Sequence, residues 1–175
     1  MRNEWLCTAD ELGQSPLTRI AKSGRMELAN VLLLLEVCDD ISRVGYLPPM
    51  HRAAYWNYDD AIGDLLEEGV DPTQVNDAGE TPLHLAVRLG NHEAAVALIR
   101  SGMDVTVPDA LGMTPLHWAA LKGYEGLAKA LLAHGADPYA LEWVAGGLSP
   151  VRMARIMGHE ELAGTLQRGI EACFE

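Results

Sequence analysis

The chain has no long apolar run. Across its 175 residues nothing approaches the roughly 20 consecutive apolar positions that a membrane-spanning helix needs. The opening MRNEWLCTADEL has neither the apolar block nor the cleavage site of a secretory leader. A cytoplasmic protein without a membrane partner is the expectation. Cysteine is scarce as well: Cys7, Cys38 and Cys173 are far apart and form no CxxC pair, so neither a disulfide framework nor a thiolate zinc site is indicated. Cations are few, 13 Lys and Arg against 25 Asp and Glu, for a formal charge of -12. Such a surface repels phosphates and forgoes the counterion release that drives nucleic-acid binding. A protein with a basic surface is the better-matched partner. Catalytic signatures are missing too: the sequence contains no GxSxG, no GxGxxG and no phosphate-binding loop. No enzyme activity, cofactor or metal is expected.

What is present is a repeat. TPLHLAVRLGNHE at 81–93 returns as TPLHWAALKGYEG at 114–126, a displacement of 33 residues. Related segments are PPMHRAAYWNYDD and SPLTRIAKSGRME upstream and SPVRMARIMGHEE downstream, the last displaced by 35. Pro16, Pro49, Pro82, Pro115 and Pro150 thus mark five units, approximately 11–43, 44–76, 77–109, 110–144 and 145–175, within one domain spanning 1–175.

Each unit reads as two short helices and a turn. Ser or Thr before the proline is a good N-cap, and proline at the first helical position gives up an N–H that would have no helical partner. Pro48 takes the cap position in the second unit. The first helix stops at Gly24, Gly90, Gly123 and Gly158, with Asn57 in the second unit; both residue types tolerate the left-handed conformation that ends helices. The second helix carries one apolar stripe, as in Ala94, Ala95, Leu98 and Ile99. A lone helix pair cannot bury both its faces, whereas stacked pairs share a continuous core.

These segments resemble the ankyrin repeat, most completely in LHWAALKGYEGLAKALLAHGADP. The resemblance covers about residues 11–171 and implies an all-α solenoid of helix-turn-helix pairs with hairpin-like fingers. It also implies a protein-binding module, here a stand-alone one acting as an inhibitor, neutraliser or chaperone-like binder. Units one and five depart from the pattern, by Thr18 and Ile20 and by Arg152 and Arg155, as suits end units whose outer faces meet water.

In such stacks the two residues before the turn glycine, and one residue on each finger, face the concave groove. By resemblance the groove slots hold Lys22 and Ser23, Tyr55 and Trp56, Arg88 and Leu89, Leu121 and Lys122, and Ile156 and Met157. The finger slots hold Gln14, Leu47, Glu80, Met113 and Leu148. Tyr, Trp and Arg are the residue types most enriched at interface hot spots, so the expected protein-binding surface centres on Tyr55 and Trp56. The alternative packs Trp56 between inner helices and exposes Tyr55 alone.

Trp118 is expected to lie part-buried between inner helices. The fourth finger, ADPYALEWVAGGLSP, is two residues longer than its predecessor; its Tyr139, Leu141 and Trp143 alternate as in a hairpin arm, and Trp143 either caps the core or meets a partner. His51, His84 and His117 recur at one position per unit. Packed helices lie roughly 8 to 10 Å apart, too far for equivalent side chains to share a metal; the resemblance implies instead that each imidazole bonds backbone within and between units. Two rival readings remain: an enzyme with an unrecognised site near Asp39–Asp40 or His134, and a self-associating unit meeting through the groove or through Ile170 and Phe174. Against the latter, a monomer is expected without the partner.

Overall fold

The protein was analysed as a computed structural model, which describes residues 47–142 and 147–171, with side chains as far as Arg168. Unit one, with Gln14, Lys22, Ser23 and the Asp39–Asp40 region, lies outside the described residues, as do Trp143, Phe174 and the side chain of Ile170.

Eight helices, and no strand, occur among the described residues. Inner helices α1 (Pro49–Trp56), α3 (Pro82–Leu89), α5 (Pro115–Lys122) and α7 (Pro150–Ile156) alternate with outer helices α2 (Asp59–Glu67), α4 (His92–Arg100), α6 (Glu125–Ala133) and α8 (Glu160–Glu171). Inner helices pack on inner ones along the series α1, α3, α5, α7, and outer on outer along α2, α4, α6, α8. The modules align as a repeat requires.

Each inner helix begins at its proline. Thr81 and Thr114 form capping boxes with His84 and His117, and the Ser149 hydroxyl accepts from the Arg152 N–H. Pro48 makes no side-chain cap. Asn57 ends α1 at φ 59°, in the left-handed region, and its side chain does more than tolerate that geometry. Oδ1 accepts the Ala94 N–H at 3.0 Å and Nδ2 donates to Glu93 at 2.6 Å, so Asn57 caps the first turn of α4 in the following unit. In return, Asn91 Nδ2 donates to the Ala54 and Tyr55 carbonyls, at 2.8 Å each, pairing the free C-terminal carbonyls of α1. At the next two junctions an aromatic ring replaces this exchange. A Cβ at Gly90 would lie 2.9 Å from the Tyr124 ring, and one at Gly123 would lie 2.7 Å from the His159 ring.

The outer stripes are buried as expected: Ala61, Ile62 and Leu65, then Ala94, Ala95, Leu98 and Ile99, then Leu127, Ala128 and Leu131 join the inner helices in one core. Between units the chain forms hairpin-like turns, each closed by a backbone pair and tied by one side chain. Asn76 Oδ1 accepts from the Glu80 N–H, Asp109 Oδ1 from the Met113 N–H, and Glu142 Oε1 from the Leu148 N–H. The matching backbone bonds run from Asn76 N to Glu80 O, Asp109 N to Met113 O, and Glu142 N to Leu148 O. The two additional residues of the fourth finger therefore fall in sequence between Glu142 and Leu148, and the side chain that ties this pair is one methylene longer than the asparagine and aspartate of the other two.

Candidate functional site at the inner-helix ends

The sequence-derived groove positions fall at the C-terminal ends of successive inner helices, in register. Tyr55 and Trp56 close α1, with ring centroids 5.0 Å apart and planes at 83°. Trp56 is 47% exposed and Tyr55 half-buried. The two rings thus meet edge to face, and the indole keeps nearly half of its surface in solvent. Leu89, Ile156 and Met157 are also exposed, Ile156 by 65%. Leu121 is half-buried and Lys122 exposed.

The finger positions differ. Leu47 and Leu148 are half-buried, whereas Glu80 and Met113 are buried, at 5% and 8% exposure. Glu80 is held from two sides. Arg88 Nε donates to Oε1 at 2.5 Å and an Arg88 Nη to Oε2 at 3.1 Å, while Asn76 Nδ2 donates to Oε2 at 2.8 Å. Burial alone would raise the Glu80 carboxyl; the Arg88 and Asn76 hydrogen bonds, with the Arg88 charge, outweigh it and hold the group below its ordinary value. The Arg88 guanidinium also lies 5.8 Å from the Trp118 ring centroid, a cation–π distance. The half-buried Trp118 donates from its indole N–H to Asp109 Oδ2 at 2.9 Å. Glu80 and Arg88, grouped by the sequence as contact residues, thus form an internal bridge in which Arg88 alone keeps partial exposure, 33% of its side chain.

The three histidines bond backbone, as expected. His84 Nδ1 accepts the Thr81 N–H at 3.2 Å and Nε2 donates to the Met113 carbonyl at 3.0 Å. His117 repeats the pattern with Thr114 and with Leu148 of the fourth finger. His51 Nε2 donates to the Glu80 carbonyl at 2.7 Å, but its Nδ1 is buried without a partner. Proline has no N–H to donate, and Pro48 stands where Thr81 and Thr114 stand in later units. Burial lowers the basicity of all three imidazoles, more than their backbone bonds and nearby carboxylates raise it. Among the described residues no group of three or more His, Cys, Asp or Glu could hold a metal ion. No helix among them is long and apolar enough to cross a membrane. His134 is exposed at the end of α6, where Nδ1 meets the Ala130 carbonyl.

A second set of exposed apolar side chains, Val75, Leu111, Tyr139 and Leu141, lies on the fingers. Val75 and Leu111 were not singled out from the sequence. Their signal was their place, Val75 just before the turn residue Asn76 and Leu111 on the tip between Asp109 and Met113.

Compared with known proteins, a family model described as ankyrin repeats (3 copies) matches residues 50–141, more than half of the chain. A search of curated proteins found no match.

Proposed function

The chain belongs to the ankyrin-repeat family, whose repeats are generally protein–protein interaction modules, and from that premise we propose that it grips a partner protein with its groove and fingers. Tyr55 and Trp56 are the anchor, and Leu89, Leu121, Ile156 and Met157 continue the apolar row. The protein acts by occupying a surface, as an inhibitor or a chaperone-like binder, rather than by catalysis. The observation that carries this reading is the open indole of Trp56 in register with exposed Leu89 and Met157. Covering roughly 100 Å² of remaining aromatic surface gives about 2 to 3 kcal/mol before ordering costs reduce it.

The test is a Tyr55→Ala, Trp56→Ala double variant used beside the native protein in affinity capture. Because the Trp56 side chain is half in solvent, the variant is expected to keep its helical circular dichroism and lose the specific companion. Retention of the same companion at equal strength removes the groove from the account. Light scattering on the protein alone separates a groove filled by a partner from one filled by a second copy of the chain: a clean monomer supports the first.

A further inference from the structure

The arms by which the chain enters its fingers carry a surface of their own. VDPTQVN at 70–76, MDVTVPD at 103–109 and ADPYALE at 136–142 stand at equivalent positions, and each ends on the side chain that ties its turn, Asn76, Asp109 or Glu142. The residue before that tie is Val75, Pro108 or Leu141, and all three are exposed. Two residues earlier stand Thr73, Thr106 and Tyr139, exposed as well. Neighbouring fingers touch: the Ala110 N–H donates to the Ala78 carbonyl at 3.3 Å, and a Cβ on Gly79 would lie 2.8 Å from the Ala110 nitrogen. Because the units stack in register, these positions form an apolar row across three fingers.

Acids flank this row at a fixed spacing. Asp71, Asp104 and Asp137 recur two residues before Thr73, Thr106 and Tyr139, and all are exposed. Each commits one oxygen to its own turn: Oδ1 of Asp71 and of Asp104 accepts from the hydroxyl and the N–H of the following threonine, and Oδ1 of Asp137 accepts the Tyr139 N–H. The threonine bonds hold the Asp71 and Asp104 carboxyls below their ordinary value, so both stay charged. None of the three forms an ion pair among the described residues. The arms themselves contain no Lys or Arg. Arg88 and Lys129 are closed onto Glu80 and Glu125, and Arg100 at the end of α4 is one cation beside three carboxylates.

We propose that the finger arms are a second docking surface, occupied by a basic segment of the partner protein that lays apolar side chains on Val75, Pro108 and Leu141 and sets Lys or Arg against Asp71, Asp104 and Asp137. This rests on the protein-binding reading above and not on the groove anchors. Charge selects the occupant. Three carboxylates held in place by their own turns attract cations and repel acidic segments, nucleic acids and anionic lipid, and the net charge of -12 acts in the same direction.

Selection from a random peptide display library on the native protein tests this, followed by affinity measurements on variants. The enriched peptides are expected to combine Lys or Arg with aliphatic or aromatic residues. Asp71→Asn, Asp104→Asn and Asp137→Asn together keep the oxygen that each turn needs and remove its charge; they are expected to weaken the best peptides by roughly tenfold. A control set, Asp60→Asn, Glu160→Gln and Glu161→Gln, removes as many exposed charges from the outer helices and is expected to change affinity by less than about twofold. Leu141→Ser is expected to weaken binding, and the Tyr55→Ala, Trp56→Ala variant to leave it unchanged. Equal weakening by the two charge sets overturns the proposal, since net charge alone then explains it. Basic peptides that depend on Tyr55 and Trp56 and ignore the arm variants also overturn it, and leave the groove in place. An acidic or uncharged enriched set, or none, counts against it. A native protein that dimerises in light scattering and becomes monomeric with Leu141→Ser gives the face to a second copy instead.

Discussion

Pro48 differs from its counterparts Thr81 and Thr114 by lacking both an N–H and a hydroxyl, and the cost falls on a neighbour, the buried Nδ1 of His51. Pro48→Thr supplies both groups to the imidazole and to the first turn of α1. Restored capping and pairing are worth more than the loss of proline's restraint on the unfolded chain, so a net stabilisation of about 1 kcal/mol is expected, read as a higher urea midpoint at unchanged slope. Arg88→Leu should act in the other direction. It leaves the Glu80 carboxylate buried with Asn76 as its remaining side-chain partner, at a cost of about 2 kcal/mol near neutral pH. In the native protein the Glu80 carboxyl is held low, so its contribution is present above the ordinary carboxylate range and is lost as pH falls through the folded value. In the variant, burial prevails and the carboxyl is raised; the stability gap to the native protein should close as the pH is lowered toward 4 and Glu80 protonates. A gap that stays constant with pH assigns the loss to packing. The sequence marked Glu80 and Arg88 by their repeat positions but gave no sign that the two meet, because that contact depends on how the finger folds over the end of α3.

At the scale of elements, legibility was high wherever one residue type satisfies a local need. Proline starts, left-handed stops and outer apolar stripes all follow from backbone and burial rules, and the helices begin where those rules place them. The sequence showed that Asn57 can take a positive φ; only the packed structure shows why asparagine stands there, since its side chain caps a helix 37 residues later. Asn57→Gly keeps the turn and removes the cap, with an expected loss of about 1 kcal/mol. Asn57→Ala removes the cap and also strains the left-handed turn, which adds roughly 1 kcal/mol more. Chemical denaturation of the pair gives the order native, glycine, alanine; equal stability of glycine and native protein would show that the bonds to Glu93 and Ala94 are idle. The fourth finger was legible as an insertion, and its location was not: the Glu142–Leu148 pairing places the added length between those two residues.

For the whole molecule, three buried imidazoles with lowered basicity couple the stack to pH. Unfolded, each titrates near its ordinary value of 6.5; folded, burial resists protonation. Above about 6.5 both states are neutral and stability is full. Below it the unfolded chain takes up protons that the folded one refuses, so stability falls with pH, by up to about 4 kcal/mol per pH unit if all three act together. Urea midpoints between pH 7.5 and 5.5, a range in which ordinary carboxylates stay ionised, check this. A flat profile would mean that the three rings charge freely in place.

Period, helix starts and the core stripes were determined by the sequence alone, since each depends on residues within one unit or on strict recurrence between units. The tertiary structure decided which surface positions stay open. It leaves Trp56, Leu89, Ile156 and Met157 in solvent and folds Glu80 and Met113 inward. Exposure and ion pairing are properties of the assembled neighbours, and a side chain's neighbours here come from elements eight to more than thirty residues away along the chain.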